Sequence, residues 1–188
     1  FSFSRLKSYH DCPFSFFLSY VVGLDISPEY VFELTPLDEG NIFHSVLKDF
    51  FSGKNRDWQD SLAENIKRHL MHDSNIVFRF EFERLSEVLH EYITVREGKR
   101  PNFMGDNFIP YAFEKAFGIG ETEPVKLLEN LYLRGKIDRV DIDRSSSSVY
   151  LIDYKRGDSG DERQLLLYSL VAEKLLEDES LDVAGGVF

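Results

Sequence analysis

Gly135-Lys136-Ile137-Asp138-Arg139-Val140-Asp141 and Leu151-Ile152-Asp153-Tyr154-Lys155 are the two stretches on which the reading of this chain turns. Each is short and rich in β-branched or aromatic residues, as strands are. Each also carries charge where a buried strand should carry none. Alternate residues of a strand share a face, so Asp153 and Lys155 point the same way. Asp138 lies on the preceding strand, joined through the serine tract 145–148, which reads as a hairpin turn. Two carboxylates and a lysine can thus converge on neighbouring strands. Hard oxygen ligands placed this way suit Mg²⁺, which takes one or two carboxylates together with water and substrate phosphate. A lysine beside such an ion lowers the cost of generating hydroxide and of charging a phosphorane. On spacing alone a second reading stays open, in which Asp138 and Asp141 cap a turn and Lys155 leaves the sheet into water. The apolar run Val149-Tyr150-Leu151-Ile152 directly before Asp153 weighs against it.

Working outward, a further strand is expected over 109–117, with the two stretches above lying in strands 131–142 and 149–155. A helix follows over 161–177, with Leu165, Leu166, Tyr168, Leu170, Leu175 and Leu176 at helical spacing. A last strand is expected over 183–188. The first half reads as helical. Residues 4–22 form two short pieces, with Ser4 as a cap, Pro13 in the first turn of the second piece and Gly23 as its stop. A connector covers 25–36. Helices are expected over 38–51 (Ile42, Phe43, Val46, Leu47, Phe50, Phe51), 57–72 and 78–97, and a loop over 98–105. Helices, then three strands, then a helix and a strand argue α/β or α+β with one mixed sheet.

Composition sets the limits. The chain has 188 residues, 43% of them hydrophobic and 14% aromatic, which excludes disorder, collagen and coiled-coil arrays. That length suits a single domain, 1–188, able to bury about 70% of its unfolded surface. One cysteine excludes an internal disulfide framework and a four-cysteine metal site. No apolar stretch approaches the roughly 20 residues of a membrane span, and the start lacks the layout of a signal peptide. The expectation is a cytoplasmic globular domain. With 22 basic and 33 acidic residues the net charge is −11, which opposes non-specific attraction to nucleic acid and to anionic membranes. DNA binding would then need a local basic strip. Lys99 and Arg100 are the candidates, with Arg96, Lys54, Arg56, Arg134, Lys136 and Arg139 as further members.

Three other positions could join the chemistry. His44, in Gly40-Asn41-Ile42-Phe43-His44, borders the apolar stripe of its helix and fits either a boundary histidine or a ligand. Gln164 and Tyr168 are four apart and share a helix face. Tyr168 can equally be a core aromatic with a polar tip. Glu114, on the strand before Asp138, fits an acidic site or an ordinary solvent-facing position.

Together these residues resemble the RecB-like branch of the PD-(D/E)XK nuclease superfamily. The likeness is nearest to the nuclease domains of RecB and AddB-type helicase–nucleases and to the related CRISPR-adaptation nucleases. Phe3-Ser4-Arg5-Leu6, Tyr9 and Cys12-Pro13-Phe14-Ser15-Phe16-Phe17 look like that family's opening. Gly40…His44 looks like its G-x-x-x-H motif, Gly135…Arg139 its G-x-I-D-R, Asp153-Tyr154-Lys155 its D-Y-K and Gln164…Tyr168 its Q-x-x-x-Y. Each match alone is weak; five in order are specific.

The resemblance implies a restriction-endonuclease-like α/β core, a central mixed sheet flanked by helices, with 54–100 as a helical elaboration. It implies that Asp138 and Asp153 bind Mg²⁺ or Mn²⁺, with His44 and the Tyr154 backbone carbonyl as further ligands and Glu114 as a less firmly matched acid. Lys155 would position or activate water and stabilise charge on phosphate, and Gln164 and Tyr168 would orient Lys155 or the DNA strand. The implied activity is metal-dependent exonucleolytic hydrolysis of DNA in recombination or repair, leaving a 5′-phosphate. The substrate would be a single strand or duplex ends, and the partner a helicase subunit or domain. The alternatives are a structure-specific endonuclease, or a non-catalytic DNA-binding or scaffolding module of a helicase–nuclease complex. Many AddB-like members also hold a 4Fe–4S cluster on one early and three late cysteines. Cys12 stands at the early position, so a cluster would require three further cysteines beyond Phe188. Without them Cys12 is expected to be a small buried hydrophobe. The break in mid-strand at 188 reads as the end of a fragment.

Overall fold

The computed structural model describes residues 1–24, 34–70, 75–96, 107–155 and 160–188. Helix α1 (Phe3–Asp11) is followed by the single turn α2 (Pro13–Phe16), which runs into a π-helical segment, Phe17–Val22. That segment ends at Gly23, whose φ of 76° is a conformation glycine adopts without a Cβ penalty. Three longer helices follow: α3 (Pro36–Phe51), α4 (Trp58–His69) and α5 (Asn75–Glu91), the last continuing into a π-helical turn, Tyr92–Arg96. The strands are β1 (Ile109–Phe117), β2 (Val125–Leu128), β3 (Leu131–Leu133), β4 (Gly135–Asp143), β5 (Ser148–Ile152) and β6 (Asp182–Val187), with α6 (Glu162–Leu175) between the last two.

The main sheet has the order β1-β4-β5-β6. The first two pairings are antiparallel and β5–β6 is parallel, as a crossover through α6 requires. This is the expected mixed α/β sheet. Val149 and Leu151 pack with Val171 and Ala172 of α6, whereas Tyr150 and Ile152 pack with Phe108 on the other side. That alternation is the two-residue period of a strand covered on both faces. A second core joins α3, α4 and α5 through Ile42, Val46, Leu47, Leu62, Ile66, Leu85 and Leu89. Within it, Arg84 Nη2 donates to Glu39 Oε1 at 2.6 Å and Nε to Glu81 Oε2 at 3.1 Å, pinning α5 to α3. Glu81 is therefore buried, although its charge alone suggests a solvated face.

The elements differ from expectation in identifiable ways. Ser2, not Ser4, caps α1, by accepting from the Arg5 N–H. Pro36 belongs to α3 rather than to a connector, because Thr35 and Asp38 form a capping box that starts the helix there. The strand expected over 131–142 is broken at Arg134, whose N–H turns away to donate to the Phe1 carbonyl at 2.8 Å. Its first part, β3, pairs instead with β2, a strand the sequence reading lacked. The strand over 149–155 ends at Ile152. The serine tract is the expected β4–β5 turn: Asp143 accepts from Ser145 N–H and from the hydroxyls of Ser145 and Ser146. Cys12 is exposed, not buried. It occupies the junction of α1 and α2, where its Sγ accepts from the Ser15 N–H at 3.4 Å and no core lies beneath it.

Candidate active site

Four elements deliver polar side chains to one point beyond the end of β5. Helix α3 brings His44, four residues after Gly40 and one turn from Leu47, so the imidazole leaves the buried stripe at its edge. In the β1–β4 register Phe113 lies opposite Arg139 and Lys115 opposite Ile137, which sets Glu114 across from Asp138. Two carboxylates directly opposed across a strand pair repel one another. The backbone at Glu114 is also strained, with φ at 53° in the middle of a strand. Both costs fall where the side chains converge.

His44 Nδ1 lies 3.3 Å from Asp138 Oδ1 and 3.7 Å from Glu114 Oε1. One ligand atom from each of these three residues falls within 4.8 Å of the others. His44 Nε2 faces the Tyr154 carbonyl at 3.3 Å. With the Nε2 proton donated there, loss of the Nδ1 proton leaves a lone pair aimed at the two carboxylates, the arrangement of a metal-ligating histidine held by its outer partner. The Tyr154 N–H donates to Asp138 Oδ2 at 2.9 Å, which places Asp153 and Lys155 on either side of that contact. Lys155 Nζ is 2.8 Å from Asp153 Oδ2, so the two share a face although β5 has already ended. Gln164 Nε2 donates to Asp153 Oδ1 at 2.9 Å. Gln164 thus reaches Asp153 rather than Lys155. Tyr168 packs edge-on against Phe117 in the sheet core, with its hydroxyl against Gln164 and the Lys136 backbone. Gly135 is required beneath it: a Cβ there would lie 2.8 Å from the Phe117 ring and 3.1 Å from the Tyr168 hydroxyl.

The electrostatics follow from burial and proximity. Burial, reinforced by the charge of Asp153, pushes the Asp138 carboxyl up to about 6 against the pull of His44, Tyr154 N–H and Lys155. His44 pulls Glu114 in the same direction and, with Lys136, here outweighs burial to hold that carboxyl down at about 2. Burial alone would lower the His44 pKa, but Glu114 and Asp138 together raise it. Burial and the two aspartates push the Tyr168 phenol up to about 12, so it stays a proton donor at neutral pH. Lys136, which pairs with Glu114, was not read from the sequence as part of this group. Its two-residue spacing from Asp138 is the signal that could have found it.

A raised carboxyl pKa in the folded chain means that stability falls as pH rises from about 4 to about 6, because the native state holds the proton longer than the unfolded one. Glu114 has the opposite sign: its contribution is present above the unfolded carboxyl pKa and lost as pH falls towards 2. Asp138→Asn is therefore expected to stabilise the metal-free chain by on the order of 1 kcal/mol at pH 7, with the gain vanishing near pH 4. Urea unfolding in EDTA at the two pH values checks this, and a gain independent of pH contradicts it.

The donor set suits a divalent cation. Carboxylate oxygens and one imidazole are a hard to borderline set. Glu114 Oε1 and Asp153 Oδ2 are buried acceptor oxygens whose contacts are the ion pairs with His44 and Lys155 rather than well-formed hydrogen bonds. Of the basic strip, Lys99 and Arg100 lie outside the described residues. Arg139 does not belong to a DNA track: it is fully buried, donating from Nε and Nη2 to the two oxygens of Asp141 at 2.6 and 2.7 Å. Lys54 pairs with Asp49. No helix of the described residues is long and apolar enough to cross a membrane.

A family model described as the PD-(D/E)XK nuclease superfamily matches residues 1–188. A Clostridium acetobutylicum protein, named as a subunit of an ATP-dependent helicase/deoxyribonuclease, is 31% identical over 96% of this chain and 18% of its own length. A protein of the same name from a Thermoanaerobacter species is 28% identical over 100% of this chain and 19% of its own length. One from Moorella thermoacetica is 28% identical over 92% of the chain and 17% of its own length. The chain thus spans less than a fifth of the length of these relatives.

Proposed function

The chain belongs to the PD-(D/E)XK nuclease superfamily, and from that premise we propose that it is a Mg²⁺- or Mn²⁺-dependent deoxyribonuclease module acting on DNA ends. The full-length relatives, named as helicase/deoxyribonuclease subunits, support a place beside a helicase within a larger recombination or repair enzyme. The observation that carries the reading is the convergence of His44, Glu114 and Asp138, with the Asp153–Lys155 pair held against Asp138 by the Tyr154 N–H.

In this reading His44 Nδ1, Glu114, Asp138 and Asp153 would hold the cation, whereas the Tyr154 carbonyl, expected as a further ligand, is engaged by His44 Nε2 and orients the imidazole instead. The bound cation would supply Lewis-acid polarisation of the phosphodiester and an acidified water. Asp138 would have to be ionised to ligate, so a cation there would compete with its proton below about pH 6. Gln164 fixes the rotamer of Asp153 by holding Oδ1, which leaves Oδ2 to Lys155. Lys155, 29% exposed beside the carboxylate, faces both protein and solvent. It steadies the attacking water and neutralises charge that grows on the phosphate oxygens. Tyr168 keeps its proton and supports Gln164 from the core side.

Hydrolysis of end-labelled linear single- and double-stranded DNA, with Mg²⁺, Mn²⁺ or EDTA, tests this directly. The wild-type chain is expected to cleave only with metal. Asp138→Ala is expected to lose both cleavage and Mn²⁺ binding measured by calorimetry. Resistance of circular single-stranded DNA is expected of an end-dependent enzyme, and its digestion would make the enzyme an endonuclease. A chain that binds Mn²⁺ but leaves every substrate intact overturns the catalytic reading in favour of a DNA-binding scaffold.

A further inference from the structure

Beside the carboxylate cluster the described residues enclose a cavity of about 150 Å³. Its walls are Phe43 and Leu47 of α3, Val88 of α5 and Tyr92 just after it, and His44 and Lys155 stand at the edge towards the cluster. An apolar cavity of this size admits a single aromatic ring. On α3 the lining positions 36, 40, 43, 44 and 47 form one helical face, and Gly40 lies at the middle of it. Glycine is the costliest residue in a helix interior after proline, so its presence calls for a reason. Neither of the usual two applies. Gly40 is not among the glycines with positive φ, and a Cβ built on it would meet no atom within 4 Å. Gly135, by contrast, is crowded on that same test. What a side chain at 40 would do is project into the cavity.

We propose that this cavity seats the nucleobase of the nucleotide whose phosphate lies at the metal centre, and that Gly40 is glycine to keep the seat open. The inference rests on the nuclease reading for its choice of ligand. The walls carry mainly ring faces and aliphatic carbons, with Glu91 the one acid among them. Such surfaces pack on any base, so the pocket holds the scissile nucleotide in place chiefly by packing. His44 then has two neighbours of different kinds: carboxylates on one side and the seated ring on the other.

Calorimetry of the wild-type chain in Mn²⁺, with thymidine 5′-monophosphate and with 2-deoxyribose 5-phosphate, isolates the ring. Thymidine monophosphate is expected to bind about tenfold more tightly, the range of one base packed on aromatic side chains. Gly40→Leu is expected to reduce that preference to less than about twofold, with Mn²⁺ affinity unchanged. Gly40→Ala is expected to raise the thermal midpoint, because the helix gains and no contact is lost. Equal or absent binding of the two probes by the wild type overturns the proposal, and so does a preference that survives in Gly40→Leu. A lowered midpoint in Gly40→Ala also overturns it, by showing that packing demands the glycine. These readouts need no turnover. A ring preference in a chain that cleaves nothing would sink the nuclease reading and keep the pocket, and cleavage without a ring preference would do the reverse.

Discussion

Replacing Lys155 by alanine will slow metal-dependent DNA hydrolysis by about 10²–10³-fold, the cost of removing one preorganised charge from a site of this kind. The ammonium lies 2.8 Å from Asp153 Oδ2 and is 29% exposed, so it can meet both the carboxylate and a group arriving from solvent. Folding will survive, because Lys155 packs no core, and Mn²⁺ will still bind through His44, Glu114 and Asp138. A second signature separates loss of chemistry from loss of shape. Lys155 helps to draw the Asp138 carboxyl down, so in its absence that carboxyl rises further above about 6 and the acid limb of the rate profile moves to higher pH. Lys155→Arg will recover the charge but not the rate, since a planar fork cannot take the place of a compact point charge. A Lys155→Ala chain that hydrolyses DNA at the wild-type rate removes the lysine from the mechanism.

The largest stability effect will come from Arg139→Met, which is expected to destabilise the fold by about 3–5 kcal/mol. Arg139 and Asp141 are both fully buried, and the guanidinium also stacks over the Phe51 ring at 4.5 Å from its centroid. Removing the cation takes two charge-assisted hydrogen bonds from a carboxylate that water does not reach. Against a total stability of about 5–15 kcal/mol for a domain, this is a large share. The double variant Arg139→Met with Asp141→Leu will recover most of the loss, because replacing both members of a buried pair with apolar residues is often neutral. Urea midpoints for the wild type, the single and the double variant decide the matter. A single variant as stable as the wild type contradicts it.

The same arginine shows where the sequence stops being informative. Arg139 has the composition of a DNA contact and follows Asp138 in a motif, and only the third dimension buries it between β4 and α3. The strands of the main sheet and α6 could be read because their apolar periods and turn residues are local, whereas the short β2 could not. So could the grouping of Asp138, Asp153, Lys155, Gln164 and His44, whose spacings match a motif set. The split at Arg134 could not, since it answers to a hydrogen bond with Phe1, 133 positions away in the chain. Nor could the left-handed backbone at Glu114, which no residue preference announces at a glutamate. The exposure of Cys12 likewise depends on what lies beneath a helix junction, which composition does not record.

The contact between His44 and the Tyr154 carbonyl spans 110 positions of the chain. At ribosomal speeds of about 5–20 residues per second, the two ends of that contact emerge on the order of ten seconds apart. The histidine and its helix leave the ribosome long before the strand that completes the centre, and Gln164 and Tyr168 come later still. Until then a growing chain carries the acids of the cluster without the contact that orients His44. The cluster is therefore complete only after the segment that carries Tyr154 has followed α3 and β4 out of the ribosome.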